Sequence, residues 1–401
     1  MRKISDFYLF FLNFVLVLLI TGTSHAQEKE LSQQAQISIL TCGPGAELYS
    51  SFGHNAIRVE DPIKGKDEIY NYGTFNFNTP NFYYKFASGK LLYSLSVSDF
   101  KRFIYTYDLE NRWVKEQILN LQQEEKEALY QFLQRNRLPE NRDYKYDFLF
   151  DNCATKLPEV LKDVLQDRLH FSTDQITTHF TFRDLIHQNL YYNTWSSFGI
   201  DLALGSVIDR EAQPLEYMFL PNYVRLQFDN STLDKQAFVT KSKDILVYPE
   251  TKNKTFFFLS PLFWLLLLFI ATCLITYKDY QRKSRNRWFD FSLFLITGFA
   301  GLLIFFLWFL TDHSSTANNY NIFWALPFNF FVGFLLLKQK AITLWLRPYL
   351  IIAIVLIFIV LVLWISSIQV YSPLTSILLA LLTIRYSYLY RFYTNKKAQT
   401  L

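Results

Sequence analysis

Long apolar runs separated by short polar loops fill the chain from Thr255 onward. The runs 256–275 and 291–310 are each long enough to cross about 30 Å of hydrocarbon as a helix. These two runs have the strongest membrane-spanning pattern in the chain.

Three further runs continue the pattern. The runs 322–337 and 349–368 are largely apolar, whereas the run 374–390 contains Arg385. A helix over the last run can span the hydrocarbon only if that side chain snorkels towards the interface. We therefore expect a helical transmembrane domain of about five helices over 255–401.

The N-terminus has the order of a secretory signal. Arg2 and Lys3 precede an apolar run over 7–20, and small residues lead to a cleavage position after Ala26. Gln27, rather than Cys, follows this position, so the chain is not itself a lipoprotein. A signal peptide over the first 26 residues is predicted, with an uncleaved membrane anchor as the alternative.

Basic residues are unevenly distributed among the predicted loops. The second and fourth loops, 311–320 and 369–373, contain no Lys or Arg. The positive-inside rule places basic loops in the cytoplasm, so the segment 27–254 should face outward. The basic residues of the first loop, third loop and tail are Lys278, Arg282, Lys283, Arg285, Arg287, Lys338, Lys340, Arg347, Arg391, Lys396 and Lys397.

The exported segment 27–254 has a mixed pattern. Turn residues at Asp61-Pro62 and Lys64-Gly65 separate β-rich runs, and charged segments with apolar residues at helical spacing follow. We therefore expect an α+β domain. The predicted strands are 36–41, 55–60, 68–77 and 91–97, and the predicted helices are 122–135 and 158–165.

Charge excludes nucleic acid as a partner. The segment 27–254 carries 26 basic and 31 acidic residues, while the rest of the chain carries 14 basic and 4 acidic residues. A nucleic-acid binder needs its positive charge on the folded domain. Here the excess of positive charge lies beside the apolar runs.

Few residues of the exported segment can carry chemistry. It has two cysteines and four histidines, without a CxxC or HExxH motif, so a zinc site has little support. No glycine-rich phosphate loop precedes a helix. We predict no metal and no cofactor. The cysteines and histidines that are candidates for chemistry are Cys42, Cys153, His54, His170, His179 and His187.

Cys153 lies where an apolar segment gives way to Asp151-Asn152 and then to a helical pattern. A sulfur at a helix start is stabilised as thiolate by unpaired N–H groups, which can also bind an oxyanion. Pro158 leaves the exact start of the helix open. Cys153 is therefore the candidate nucleophile.

His54 lies at the mouth of a predicted strand, which is a rigid platform for a base. A Cys/His pair is the minimum nucleophile and base. The alternatives are a buried structural thiol, a disulfide between Cys42 and Cys153, and a structural histidine. His170, His179 and His187 lie in a polar helical region and are interpreted as structural.

The imidazole needs a third group to orient it. In a hairpin, the strand 68–75 faces His54, and the register leaves Tyr72, Asn71 and Thr74 open. We favour Tyr72 as the orienting residue, although it can equally be a packing tyrosine. Asn152, beside the nucleophile, supports the oxyanion or caps the helix.

Two further features can contact lipid. Asp312, Asn318 and Asn319 lie in an outward loop and can meet a lipid head group. The second feature is an aromatic cluster, for which the sequence leaves three roles open. It can line an acyl-chain groove, enter the membrane interface or form part of the hydrophobic core. The aromatic residues are Phe75, Phe77, Phe82, Tyr83, Tyr84 and Phe86.

A strand-borne histidine followed about a hundred residues later by Asn-Cys at a helix start resembles the circularly permuted NlpC-like papain fold. That group includes lecithin retinol acyltransferase. The chain is more closely similar to the Bacteroidota lipoprotein N-acyltransferase family, over nearly the whole mature chain. The stretches that carry this resemblance are Ser51-Phe52-Gly53-His54, Tyr70-Asn71-Tyr72-Gly73-Thr74-Phe75, Gly89-Lys90-Leu91-Leu92-Tyr93, Pro139-Glu140-Asn141-Arg142 and Asn152-Cys153-Ala154-Thr155.

The resemblance implies a multi-pass protein of the bacterial inner membrane with its catalytic domain in the periplasm. It implies that Cys153 takes an acyl chain from a phospholipid as a thioester. The N-terminal amine of a diacylglyceryl-cysteine lipoprotein then takes the acyl group. His54 acts as base in both steps.

Two other functions remain open from the sequence. One is a membrane-tethered Cys peptidase or amidase that hydrolyses cell-wall peptide, and the other is a sensor or assembly factor without activity. A wall hydrolase needs only one anchor, so the multi-helix tail favours a lipid substrate.

Overall fold

The computed structural model describes residues 30–249, 256–338 and 345–398. The predicted signal peptide lies outside these residues, as does part of the third predicted loop. The described chain has an N-terminal domain of mixed α and β structure and a C-terminal helical domain.

One antiparallel sheet organises the N-terminal domain, with strand order β10-β5-β1-β2-β3-β4-β6, and a small second sheet has order β7-β8-β9. The strands are β1 (Gln36–Cys42), β2 (His54–Asp61), β3 (Lys66–Thr74), β4 (Leu92–Asp99), β5 (Val114–Leu119), β6 (Asp143–Lys145), β7 (Leu169–His170), β8 (Thr232–Leu233), β9 (Gln236–Ala237) and β10 (Val239–Leu246).

Helices cover both faces of the large sheet. They are α1 (Phe82–Ala87), α2 (Phe100–Leu109), α3 (Gln123–Asn136), α4 (Lys156–Leu165), α5 (Phe182–His187), α6 (Trp195–Ala203) and α7 (Pro221–Asp229). Short 3-10 helices lie at Leu48–Ser50, Gln166–Arg168, Ser206–Ile208 and Pro214–Phe219.

Successive side chains along the strands point to opposite faces of the sheet, and each face has its own hydrophobic core. Ile57 and Tyr70 point to the face packed against α3, α4 and α7. Ala56 and Ile69 point to the opposite face, where α2 contributes Phe103. Because both faces are buried, the central strands have more apolar residues than a half-exposed strand would have.

The predicted strands and helices are present with small shifts. The strand predicted over 68–77 ends at Thr74, and the helix predicted over 158–165 begins at Lys156. Pro158 is therefore the third residue of α4, where its missing N–H would have had no partner within the helix.

The C-terminal domain contains α8 (Pro261–Gln281), α9 (Arg287–Phe309), α10 (Asn329–Leu337), α11 (Leu346–Ile365) and α12 (Thr375–Ala398), with 3-10 helices at Phe257–Leu259, Ser314–Thr316 and Tyr320–Phe323. Among the described residues, α8, α9 and α11 are long and apolar enough to cross a membrane. The predicted span 322–337 is interrupted, because Pro327 precedes a helix of only nine residues. The number of five spans stays a prediction.

Contrary to the expectation from the sequence, Arg385 does not snorkel towards the interface. Its side chain is fully buried and donates to Asp290 at 2.6 Å, Asp279 at 2.7 Å and Thr276 at 3.1 Å. A cation inside an apolar helix bundle needs such partners because its desolvation is otherwise too costly. α12 therefore tolerates Arg385 through ion pairs with residues near the facing ends of α8 and α9.

The two domains are joined through the loop after α9. The Gly205 N–H donates to the Ser315 carbonyl at 3.0 Å. Asn319 is fully buried, and its amide donates to two backbone carbonyls at the end of α6 at 2.8 and 3.0 Å. This burial contradicts the head-group contact predicted for Asn319.

The sheet has one end near the helical domain and one end away from it. Leu92 at the start of β4 pairs with Lys145 of β6, and Lys145 forms an ion pair with Asp312 at 2.8 Å. Thr74, at the end of β3, pairs with Ser94 near the start of β4, so it lies at the same end of the sheet. Because β2 and β3 are antiparallel, the start of β2 lies at this end as well. The hairpin turn between β2 and β3 therefore lies at the far end.

Candidate active site

Cys153 and His54 meet at the end of the sheet nearest the helical domain. His54 is the first residue of β2, and Cys153 lies in the turn that leads into α4. The two side chains hydrogen-bond to each other. Asn71 of β3 completes the cluster, with its Oδ1 at 2.5 Å from His54 Nε2.

The ring nitrogens of His54 have separate partners. An amide oxygen only accepts, so the contact with Asn71 requires Nε2 to donate its hydrogen. Nδ1 is then left to face the thiol with its lone pair. This tautomer is the one that can remove a proton from Cys153.

Burial and mutual charge act on the two groups in opposite directions. Burial disfavours the charged form of each, but this effect is outweighed by their interaction. The Cys153 charge and hydrogen bond, with help from Asn71, raise the pKa of His54. The His54 charge lowers the pKa of Cys153. The pair is therefore biased towards thiolate and imidazolium.

The structure places Asn71, not Tyr72, against the imidazole. The β2–β3 pairing, if continued, puts His54 opposite Gly73, with Asn71 as the diagonal neighbour on the same face. Tyr72 points to the other face, where its hydroxyl donates to Asn136 at 2.8 Å. The preference for Tyr72 as orienting residue is thus corrected, because strand alternation sends its side chain into the core.

Gly73 allows Cys153 to approach β3. It has a φ of +84°, and the pairing of β3 with β4 is irregular between Asn71 and Thr74. A Cβ at this position would lie 3.2 Å from the Cβ of Cys153. Thr74, the third predicted alternative, instead donates to the Ser94 carbonyl at 2.8 Å.

Asn152 has a capping role in the structure. Its Oδ1 accepts from the N–H groups of Ala154 and Thr155 at 2.7 and 2.9 Å. Its amide donates to the carbonyls of Phe148 and Phe219 at 2.7 and 2.9 Å. Both amide hydrogens are therefore engaged, which contradicts oxyanion support by this side chain. Asn152 instead holds the turn that presents Cys153.

Backbone groups supply the donors that the sequence did not reveal. The N–H groups of Asn55 and Cys153 itself bond to the Cys153 sulfur and help to lower its pKa. Because main-chain donors have no side-chain signature, only the folded geometry identifies them. They are suitably placed to stabilise negative charge next to the sulfur.

Cys42 is a different kind of thiol. It pairs with His54 across the sheet but is fully buried, which raises its pKa to about 12. Cys42, Cys153 and Cys273 are all free, so the alternative of a disulfide is absent from the structure. Cys42 is therefore a neutral packing residue and a poor nucleophile.

Arg112 is a further charged residue at this end of the sheet. It is buried, its Nε donates to the Gly43 carbonyl at 2.8 Å, and its guanidinium lies over the Tyr107 ring. Its charge opposes the rise in the pKa of His54. Nothing in the pattern around Arg112 distinguishes it from a surface arginine, so sequence reasoning missed it.

The other histidines lie elsewhere. His187 Nε2 is 2.9 Å from Asp201, and His179 Nδ1 is 2.6 Å from Glu211. Within the part of the chain that the structure describes, no group of three or more His, Cys, Asp or Glu residues is arranged to hold a metal ion. The chemistry available at the site is that of a half-buried Cys153 and His54 pair that is biased towards thiolate and imidazolium.

Comparison with protein families gives two matches. The model of the Lnb N-terminal periplasmic domain matches residues 23–188, and the model of the Lnb transmembrane domain matches residues 251–397. The first match includes Cys153, His54 and Asn71. Neither a curated protein nor a solved structure matches the chain.

Proposed function

The chain belongs to the Lnb family, and from this premise we propose that it is a lipoprotein N-acyltransferase with Cys153 as nucleophile. The family makes it a membrane protein with a periplasmic domain. The observation that carries the proposal is the Cys153, His54 and Asn71 cluster at the end of the sheet nearest the membrane-spanning helices.

The first half-reaction transfers an acyl chain to the enzyme. The Cys153 thiolate attacks an ester carbonyl of a phospholipid, while the Asn55 and Cys153 N–H groups stabilise the developing oxyanion. The C–O ester bond breaks as the C–S bond forms. The imidazolium of His54 gives its proton to the leaving oxygen, so a lysophospholipid departs.

The second half-reaction transfers the chain to an amine. His54, now neutral, takes a proton from the N-terminal ammonium of a diacylglyceryl-cysteine lipoprotein. The amine nitrogen attacks the thioester, the C–N amide bond forms and the C–S bond breaks, and the second proton that the nitrogen must lose passes to water. The thiolate and imidazolium pair is restored, and no cofactor is needed.

The proposed organisation follows from this function. We assign residues 1–26 to a signal peptide, 27–254 to the periplasmic catalytic domain and 255–401 to the transmembrane domain in the inner membrane. Histidine before cysteine in chain order supports a circularly permuted NlpC-like papain fold for the catalytic domain. Asn71 takes the orienting position in this scheme.

The proposal is tested by intact-mass spectrometry of the full chain after incubation with phospholipid and no acceptor. Wild type should gain the mass of one fatty acyl group, and hydroxylamine should remove it. Cys153→Ser should gain no hydroxylamine-sensitive acyl group, whereas Cys42→Ser should behave as wild type because Cys42 is buried and protonated.

Adding a diacylglyceryl lipopeptide completes the test. The adduct should disappear from the enzyme as the lipopeptide gains an amide-linked acyl chain. Cleaved cell-wall peptide without an acyl adduct would instead support a Cys peptidase or amidase. A cellular function that survives Cys153→Ala would support a non-catalytic sensor.

A further inference from the structure

Four large aromatic side chains lie exposed together around α1. Exposure is 70% for Phe77, 82% for Tyr83, 61% for Tyr84 and 52% for Phe86. We call these four residues the aromatic face. Exposed apolar groups gathered in this way mark a surface that meets a partner rather than water.

The aromatic face lies beside the end of a membrane-spanning helix. The backbone N–H of Asp312 donates to the Ser88 carbonyl at 2.9 Å, directly after α1. The His313 ring contacts the carbonyls of Phe86 and Ala87 at 3.2 Å. These bonds fix α1 to the residues that follow α9. The end of a membrane-spanning helix lies where the hydrocarbon meets the head groups. Tyrosine and tryptophan side chains are typical of that interface.

The end of α9, shortly before Asp312, is also apolar and exposed. Phe309 and Leu310 are 53% and 58% exposed at the end of a helix that is long enough to span the membrane. Lys90, an exposed cation, follows α1 and lies near Asp312. An apolar surface with a cation at its rim matches the chemistry of phospholipid at the bilayer surface.

A continuous series of aromatic rings leads from the aromatic face to the active site. Phe77 contacts Phe75 with ring centroids 5.1 Å apart, and Phe75 contacts Tyr93 at 5.3 Å. Tyr93 stacks on Tyr146 at 4.1 Å. Tyr146 directly precedes the Asp147–Asp151 backbone bridge that leads to Cys153. Burial, and after it the charge of nearby Cys153, raises the pKa of Tyr146.

We propose that the aromatic face enters the outer leaflet of the inner membrane and receives the acyl chain of the donor phospholipid, which the ring series guides towards Cys153. This inference rests on the proposed acyl transfer. The occupant is a bilayer phospholipid, because α1 is fixed at the membrane end of the domain and its apolar side chains have no covering element among the described residues.

Insertion of the aromatic face can be tested without activity. In a full-chain Cys153→Ser, Cys273→Ser background, Tyr84→Cys is labelled with an environment-sensitive fluorophore and reconstituted in vesicles. Nitroxide groups on lipid chains should quench this label. Ile63→Cys is the matched control, since Ile63 is 64% exposed in the turn at the far end of the sheet. Equal quenching at both positions, or none at Tyr84→Cys, would overturn the proposal.

The role of the aromatic face in donor use is tested by measuring acyl-enzyme formation separately from transfer to the acceptor. The triple variant Tyr83→Ser, Tyr84→Ser, Phe86→Ser should form the acyl-enzyme from vesicle phospholipid at least about tenfold more slowly. Removing even one aromatic side chain from an apolar environment lowers a partition constant by about a decade or more. Acylation by a water-soluble short-chain thioester should be unchanged, and Ile63→Ser should match wild type with both donors.

The outcomes separate this inference from the function that it rests on. Equal loss with both donors would show a folding defect and remove support for lipid docking. A loss confined to transfer from a preformed acyl-enzyme to lipopeptide would assign the aromatic face to the acceptor instead. Wild-type protein that forms no acyl-enzyme with either donor would overturn the proposed function, whatever the quenching experiment shows.

Discussion

The residue that orients His54 is a neutral amide. Asn71 holds Nε2 without adding a negative charge, so the balance between thiolate and imidazolium depends on the pair itself. The reactive form should exist between the pKa of Cys153, which is lowered, and the pKa of His54, which is raised. The rate of acyl-enzyme formation should therefore rise with pH through the first value and fall through the second.

Asn71→Ala should slow acyl-enzyme formation by about tenfold to a hundredfold, because the imidazole loses its fixed orientation. Since the Asn71 hydrogen bond helps to raise the pKa of His54, the alkaline limb of the pH profile should move to lower pH. The measurement is the rate of thioester formation across pH by intact mass.

Tyr72→Phe is the matched control for Asn71→Ala. It removes a hydroxyl whose partner is Asn136, so it should cost about 1 kcal/mol in the free energy of unfolding and leave the alkaline limb unchanged. If Tyr72→Phe moves the limb and Asn71→Ala does not, the orienting role belongs to Tyr72 after all.

Among the elements, the irregular end of β3 lies directly against Cys153. Gly73 combines a left-handed backbone with close contact to Cys153. Gly73→Ala should displace the sulfur from His54 and lower the rate of thioester formation by at least about tenfold. Gly65→Ala is the matched control, since Gly65 has a φ of +63° but a Cβ there meets nothing within 4 Å.

Both glycine variants should lose about 1 kcal/mol in the free energy of unfolding from backbone strain. Only Gly73→Ala should lose the selective reaction of Cys153 with iodoacetamide near neutral pH, measured by peptide mapping. Equal alkylation rates in the two variants would contradict a specific role for Gly73 in the placement of Cys153.

Elements with a clear period were predictable, while irregular joints were not. The strands β1 to β4 and helices α3 and α4 follow from alternation and helical spacing. β5, β6 and β10, which complete the sheet, were not predicted. Cys153 and His54 could be proposed from residue type and position, but their meeting depends on a turn and an irregular strand pairing. The choice of Asn71 over Tyr72 required the register, because one residue of shift exchanges the faces of a strand.

Arg385 shows the same limit within the helical domain. Its position in an apolar run predicts a side chain that reaches for the interface. The structure instead pairs it with Asp279 and Asp290, which are about a hundred positions earlier in the chain. Partners so distant in sequence cannot be assigned from periodicity.

At the scale of the whole molecule, close packing joins the N-terminal domain to the helical domain. A Cβ on Gly205 would lie 1.8 Å from the carbonyl oxygen of Ala317, so backbone would have to move. Gly205→Ala should lower the free energy of unfolding by about 1–3 kcal/mol. It should also slow acylation from vesicle phospholipid more than acylation from a soluble thioester.

Gly199→Ala is the control for this joint, because a Cβ on Gly199 in α6 meets nothing within 4 Å. It should match or slightly exceed wild type in thermal stability, since alanine favours a helix over glycine. Thermal unfolding in detergent and the two acylation rates are the measurements. A Gly205→Ala protein that uses both donors as well as wild type would show that donor use does not depend on this contact.

Under the proposed acyl transfer, the position of Cys153 and His54 at the end of the sheet nearest the helical domain also determines which donor concentration sets the rate. A donor that reaches the site along the bilayer is counted per unit of membrane area and not per volume of buffer. Its supply then depends on its mole fraction among the surrounding lipids and on lateral diffusion. Mixing inert lipid into the membrane would lower the turnover rate of each enzyme molecule. Diluting the whole vesicle suspension would leave that rate unchanged.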